Sequence, residues 1–196
     1  GLATISTAAL QARGAGFEDV GVTAYRDAAV MASRVMEYRQ AQTWIEEGLR
    51  YADSIEQSHC AHVMRSTRAL VAWADGRWGD AIDLAEHALA DRGCSRAAAM
   101  ARWVLGYASL GRGATERADE HLEAALSFAA RGGAIDLLLP ALWGIAETHL
   151  VAGRPASAVE TCERAFAVAT ESGERALLAP FAVTGVRAYQ AAGRPD

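Results

Sequence analysis

The sequence predicts an all-α fold, a right-handed superhelix of stacked antiparallel helix pairs, and three observations carry that reading. Met36, Gly76, Gly113, Gly153 and Gly193 each stand before an equivalent stretch, at intervals of 40, 37, 40 and 40 residues. Five positions after the first four marks comes an Ala, at Ala41, Ala81, Ala118 and Ala158. Seven further on comes a second small residue, at Gly48, Ala88, Ala125 and Ala165, followed by a bulky apolar one at Leu49, Leu89, Leu126 and Phe166. Around each mark, finally, the apolar residues recur at helical spacing. A period of this length with recurring small and large residues marks an array of helical hairpins.

In chain order, Ile5 and Ala8 suit the second helix of an earlier unit. Whole units are expected near residues 20–57, 58–94, 95–133 and 134–173, with a partial unit over 174–196. Val63, Ala69, Leu70 and Trp73 precede Gly76, and Ile82, Ala85, Ala88 and Leu89 follow it. Trp103, Val104, Leu105, Tyr107 and Leu110 precede Gly113, and Leu122, Ala125 and Leu126 follow it. Each unit is therefore a helix, a tight turn and a second helix, with turns at 36–38, 76–79, 112–115 and 153–156. Glycine suits such a turn because it adopts positive φ at little steric cost. The small positions let helices approach, where a Leu would push them apart. Links between units carry Arg92-Gly93, Arg131-Gly132-Gly133 and Ser172-Gly173. Pro140 and Pro180, 40 residues apart, are placed near the start of their helices, where proline is tolerated. Longer helices kinked at these prolines are the alternative. The sequence opens without Met and stops at Gly193-Arg194-Pro195-Asp196, so it reads as one repeat domain excised from a longer protein.

Composition excludes several function classes. The 196 residues are 52% apolar and 22% charged with net charge −5, a balance that argues against a nucleic-acid surface. There is no Lys and no Asn, so all 19 positive charges are Arg. A P-loop needs its lysine and is ruled out. No stretch approaches the roughly 20 apolar residues of a membrane span. Cys60, Cys94 and Cys162 are odd in number and far apart, which suits reduced thiols in the cytoplasm.

Leu105-Gly106, Gly113, Ala118 and Ala125 resemble the tetratricopeptide repeat, with Ala29, Ala69 and Ala146 at the Gly106 place in the other units. The period is nearer 40 than the usual ~34, and the closing proline is absent. Longer units of this sort resemble the sensor arrays of LuxR-type, MalT-like ATP-dependent transcriptional regulators. Tyr25 to Ala32, Glu56 to Arg65, Arg96 to Trp103 and Leu142-Trp143-Gly144 carry that likeness. It implies a cytoplasmic sensor or partner-docking module, flanked in such regulators by an NTPase and a DNA-binding helix-turn-helix. A general protein-binding scaffold is the alternative. Its carboxylate-clamp version relies on Lys and Asn, both absent here.

Nothing in the sequence assembles chemistry. His59-Cys60-Ala61-His62 has helical spacing for two ligands, but zinc needs four converging ones. These are read as ordinary residues at a helix start, and His87, His121 and His149 as isolated surface or interface histidines. The clusters at Glu46-Glu47, Glu116 to Glu123 and Glu171 to Glu174 alternate with Arg on solvated faces. No catalytic residue, metal or cofactor is therefore expected. The expected binding surface is the concave face lined by the first helices. In the repeat register it holds Arg26, Arg34, Trp73, Trp103, Tyr107, Trp143, Glu147 and Arg187, suited to a protein or small-molecule effector. Trp78 is read as a packing residue of its turn. No direct contact of this fragment with nucleic acid or membrane is expected.

Overall fold

The computed structural model describes residues 2–91 and 95–194. The Arg92-Gly93 link, Cys94 and the terminal Pro195-Asp196 lie outside the described residues. Among those described, the chain is helical without strands: α1 (Leu2–Gly14), α2 (Glu18–Arg34), α3 (Tyr38–Ser54), α4 (Ser58–Ala74), α5 (Trp78–Ala90), α6 (Ser95–Gly111), α7 (Thr115–Gly132), α8 (Ile135–Val151), α9 (Pro155–Ser172) and α10 (Ala179–Ala191). A single 3-10 turn, Ala176–Leu178, leads into α10. The chain divides inside α6 into two compact units, Gly1–Ala101 and Arg102–Asp196.

Each marked turn closes in the same way. In the first unit α4 ends at Ala74, and Gly76 takes φ +77°. The Arg77 N–H then donates to Ala72 C=O at 2.9 Å, and the Gly76 N–H to Trp73 C=O at 3.0 Å. This left-handed cap satisfies carbonyls that the helix end would orphan. The second unit repeats it at Gly153, where Arg154 N–H reaches His149 C=O at 2.8 Å. Helices stop and restart across 35–37, 75–77, 112–114 and 152–154, within two residues of the expected turns. Consecutive helices across so short a turn must run antiparallel.

The small residues lie where helices touch. Ala29, Ala41, Ala69, Ala81, Ala118, Ala146 and Ala158 are fully buried. A Cβ added at Gly106 would sit 2.6 Å from Leu122 Cγ, and one at Gly144 2.6 Å from Leu122 Cδ2 and 2.8 Å from Tyr107 Cε1. Leu122 of α7 thus fills the space that two glycines of α6 and α8 vacate. In the first unit Gly48 of α3 does the same for Met64 and Tyr25. Tyr25 is the largest fully buried side chain there, with Trp44 and Tyr51 each 5.8 Å away, centroid to centroid.

The two matched prolines are treated differently. Pro180 is in the first turn of α10, as expected. Pro140 lies well inside α8, which begins upstream at Ile135. Its ring removes one N–H donor from the second turn of the helix, and its own carbonyl accepts a hydrogen bond from the Tyr107 hydroxyl at 2.7 Å. Trp78 also departs from expectation: it opens α5 and leaves 37% of its surface exposed instead of packing its turn.

Candidate binding surface

In the first unit, Arg26 and Arg34 lie on α2 and Trp73 on α4. The Arg26 guanidinium is held by its neighbour, donating from Nε and Nη2 to Asp27 Oδ1 at 2.9 and 2.8 Å. Its Nη1 stands 3.8 Å from Cys60 Sγ. Arg34 Nη1 lies 3.8 Å from Met31 Sδ. All three nominated side chains are half-buried, so each offers part of its surface to solvent. Nearby, His62 Nε2 pairs with Asp91 Oδ2, joining the start of α4 to the end of α5.

The second unit brings three nominated residues into one network. Trp143 Nε1 donates to Thr184 Oγ1 at 2.9 Å, and that hydroxyl donates to Glu147 Oε1 at 2.6 Å. Arg187 Nη1 reaches both carboxylate oxygens of Glu147 at 2.9 Å. The Glu147 side chain is 14% exposed and Arg187 52%, so the guanidinium covers a mostly buried carboxylate. Helical spacing explains the arrangement, since Trp143 and Glu147 are i,i+4 on α8 and Thr184 and Arg187 i,i+3 on α10. Arg187 is the part of the network that meets solvent.

Trp103 and Tyr107 correct the expected list. Each is only 5% exposed. Tyr107 spends its hydroxyl on Pro140 and packs edge-on against Trp143, centroids 5.0 Å apart. Trp103 buries its ring, with no hydrogen-bond partner for Nε1 among the described residues. Helices in contact at Gly106 and Gly144 leave no open wall there, and these two aromatics are packing residues. Sequence reasoning also passed over Thr184, whose hydroxyl connects the network. Its only signal was a place one turn before the nominated Arg187.

The chemistry available is limited. The Glu147 carboxylate is already met by a hydroxyl and a guanidinium. Burial, and then the nearby Glu147 and Glu163 charges, push the Cys162 thiol up to about 11. At neutral pH it is protonated and a poor nucleophile. Burial, and then Arg154, lowers the His149 imidazole below its ordinary range. Arg154 Nε donates to His149 Nδ1 at 3.2 Å, which fits the neutral ring. On α9 and α10, Phe166, Phe181, Ala182, Gly185, Val186, Tyr189 and Gln190 line an open, mainly apolar groove of about 300 Å³.

Helix pairs closed by left-handed caps and packed through small residues define a helical-repeat protein of the tetratricopeptide type. Residues 61–189 match the family described as the MalT-like TPR region, and the chain belongs to that family. Its fold is similar to the crystal structure of BtubC (BKLC) from P. vanneervenii, at TM-score 0.67 and 19% identity, over 99% of this chain and 84% of that one. A comparison with curated proteins returned no match. Among the described residues, no helix is long and apolar enough to cross a membrane.

Proposed function

We propose that this chain is a non-catalytic binding module, the sensor or partner-docking region of a cytoplasmic, LuxR-type transcriptional regulator. Membership of the MalT-like TPR family is the observation that carries this reading. Repeat arrays of this class are scaffolds whose surfaces bind. A protonated Cys162 thiol and a Glu147 carboxylate closed by Arg187 agree with a site that binds and does not turn over. The effector, a protein or small molecule, meets Arg26, Arg34 and Trp73 in the first unit, or Trp143, Glu147 and Arg187 in the second. Half-buried indoles give contact area at little entropic cost, and Arg supplies charged donors. Binding shifts attached domains only so far as the effector prefers one state over the other.

A ligand screen read by tryptophan fluorescence and thermal shift tests this. A true effector raises the melting temperature of the wild-type chain, and Trp73→Phe, Arg34→Ala or Arg187→Ala removes that rise while leaving the fold intact. ATP turnover by the pure chain, or DNA binding at physiological salt, would contradict the reading.

A further inference from the structure

Large apolar side chains are exposed at two neighbouring turns of the first unit. Val35 and Met36, between α2 and α3, are 43% and 57% exposed, and Trp78, which opens α5, is 37% exposed. Helices α2 and α4 pack together, and each ends in one of these turns. Half-buried Tyr38 packs against the cluster that includes Val71 of α4. Burial, and then the Asp75 charge, pushes its phenol up. The two turns therefore lie side by side on one edge of the unit. At the same places in the second unit stand Arg112, Gly113 and Thr115, then Ala152, Gly153 and Pro155.

Met36 holds a left-handed backbone, at φ +61°, where Gly76, Gly113 and Gly153 occupy the equivalent turns without a side chain to strain. A side chain more than half exposed gains little packing inside the fold. Strain kept without such a gain points to a use outside the fold. Methionine and tryptophan suit that use, one through its flexible, polarizable chain and the other through its large flat area. The charge beside the patch says what fits it. Asp80, Asp83 and Glu86 run down the exposed face of α5, each one helical turn from the next. Arg77 reaches Asp80 at 2.8 Å, whereas Asp83 and Glu86 make no ion pair among the described residues. The second helices α3, α7 and α9 each mix Arg with their acids, and α5 carries no Arg. Its one histidine, His87, meets the Asp83 carbonyl of its own helix.

We propose that this edge of the first unit docks a basic amphipathic helix of a partner protein. Apolar side chains of that helix pack on Val35, Met36 and Trp78, and its Arg or Lys residues lie along Asp83 and Glu86. Burial of the apolar centre supplies affinity. The acidic flank sets orientation and speeds encounter, so binding weakens with salt. The same carboxylates repel nucleic acid and anionic lipid. None of these residues belongs to the surface nominated for an effector, and the proposal is independent of where an effector binds.

Titration calorimetry of the 196-residue chain with two synthetic helical peptides tests it. Each is about 18 residues long, or five turns, with Leu along one face; the other face is Lys in the first peptide and Glu in the second. The chain should bind the Leu/Lys peptide, more weakly as salt rises, and not the Leu/Glu peptide. Met36→Gly, which gives the turn its least strained occupant, and Trp78→Ser should each weaken binding about tenfold. Reversing both Asp83→Arg and Glu86→Arg should weaken it further and flatten the salt dependence. Two controls should leave affinity nearly unchanged: Val151→Ser, an exposed apolar side chain beside a turn of the second unit, and the paired reversal Glu120→Arg and Glu123→Arg on α7. All these positions are exposed, so circular dichroism should match the wild type throughout. No binding of the Leu/Lys peptide, equal binding of the Leu/Glu peptide, or binding indifferent to Met36→Gly or to the α5 reversal would each overturn the proposal. Controls that weaken binding as much as the named residues would overturn it too.

Discussion

Among the described residues, the left-handed positions of the first unit are Gly16, Met36, Glu56 and Gly76, whereas those of the second are Gly113, Gly133, Gly153, Gly173 and Gly193. Within each unit they recur every twenty residues, once per helix. Met36 and Glu56 hold φ of +61° and +57° with full side chains, at a cost of roughly 1–2 kcal/mol each. Their closing hydrogen bonds match those of the glycine turns: Glu37 N–H and Gln57 N–H donate to Ala32 and Ala52 C=O at 2.9 Å. The lesson is that the turn geometry is imposed by helix packing, and glycine is only its least strained occupant. The first unit tolerates the strain around a core in which Tyr25, Trp44 and Tyr51 meet.

The indoles are also satisfied unevenly. Trp44 Nε1 in the first unit and Trp103 Nε1 in the second have no partner among the described residues, while Trp143 Nε1 is bonded to Thr184. Thr184→Val keeps the shape and removes that acceptor together with a donor to Glu147. It should destabilise the second unit by about 1–3 kcal/mol, read by chemical denaturation, and shift Trp143 fluorescence. A loss near zero would mean that the Trp143 bond adds nothing to what the unpartnered Trp44 and Trp103 indoles do without.

The turns give a smaller and signed effect. Met36→Gly and Glu56→Gly should each stabilise by up to about 1 kcal/mol as strain is released, whereas Gly133→Ala and Gly173→Ala should destabilise by about 1 kcal/mol. Equal signs in both units would break the comparison.

The smallest effect is a pH dependence confined to the second unit. The folded state holds the His149 imidazole below its ordinary value near 6.5, so on acidification the unfolded chain takes up the proton first. Its contribution to stability is complete above that value and is lost as pH falls through the folded pKa. His149→Gln should flatten thermal stability between pH 7 and 5, and an unchanged slope would remove this assignment.

Much of the fold was legible because the period is written twice, in the turn marks and in the small residues. A glycine at 76 or 153 and an alanine at 69 or 146 each answer a local steric demand, which a sequence displays directly. Met36 was legible only through its spacing, since nothing in a methionine predicts a left-handed backbone. The binding surface was less legible. A tryptophan at a given register reads the same whether it faces solvent, as part of Trp143 does, or closes a core, as Trp103 does. The difference lies in how closely the neighbouring helices approach, which Gly106, Gly144 and Leu122 decide together. The Thr184 relay was hidden for the same reason, because a hydroxyl gains its role from what packs forty residues away.

The central claim is that the recurring small and large residues form one interface with interchangeable partners. A double-mutant cycle on Gly106 and Leu122 tests it most directly. Gly106→Ala drives a Cβ into Leu122 and should cost about 1–3 kcal/mol, less a gain in helix propensity. Leu122→Ala opens a cavity and should cost about 2–5 kcal/mol. The double variant restores an Ala–Ala pair, the combination present at Ala69 and Ala85, and should lose less than the two single losses together by about 0.5–3 kcal/mol. Strict additivity of the two losses would contradict the register on which the account rests.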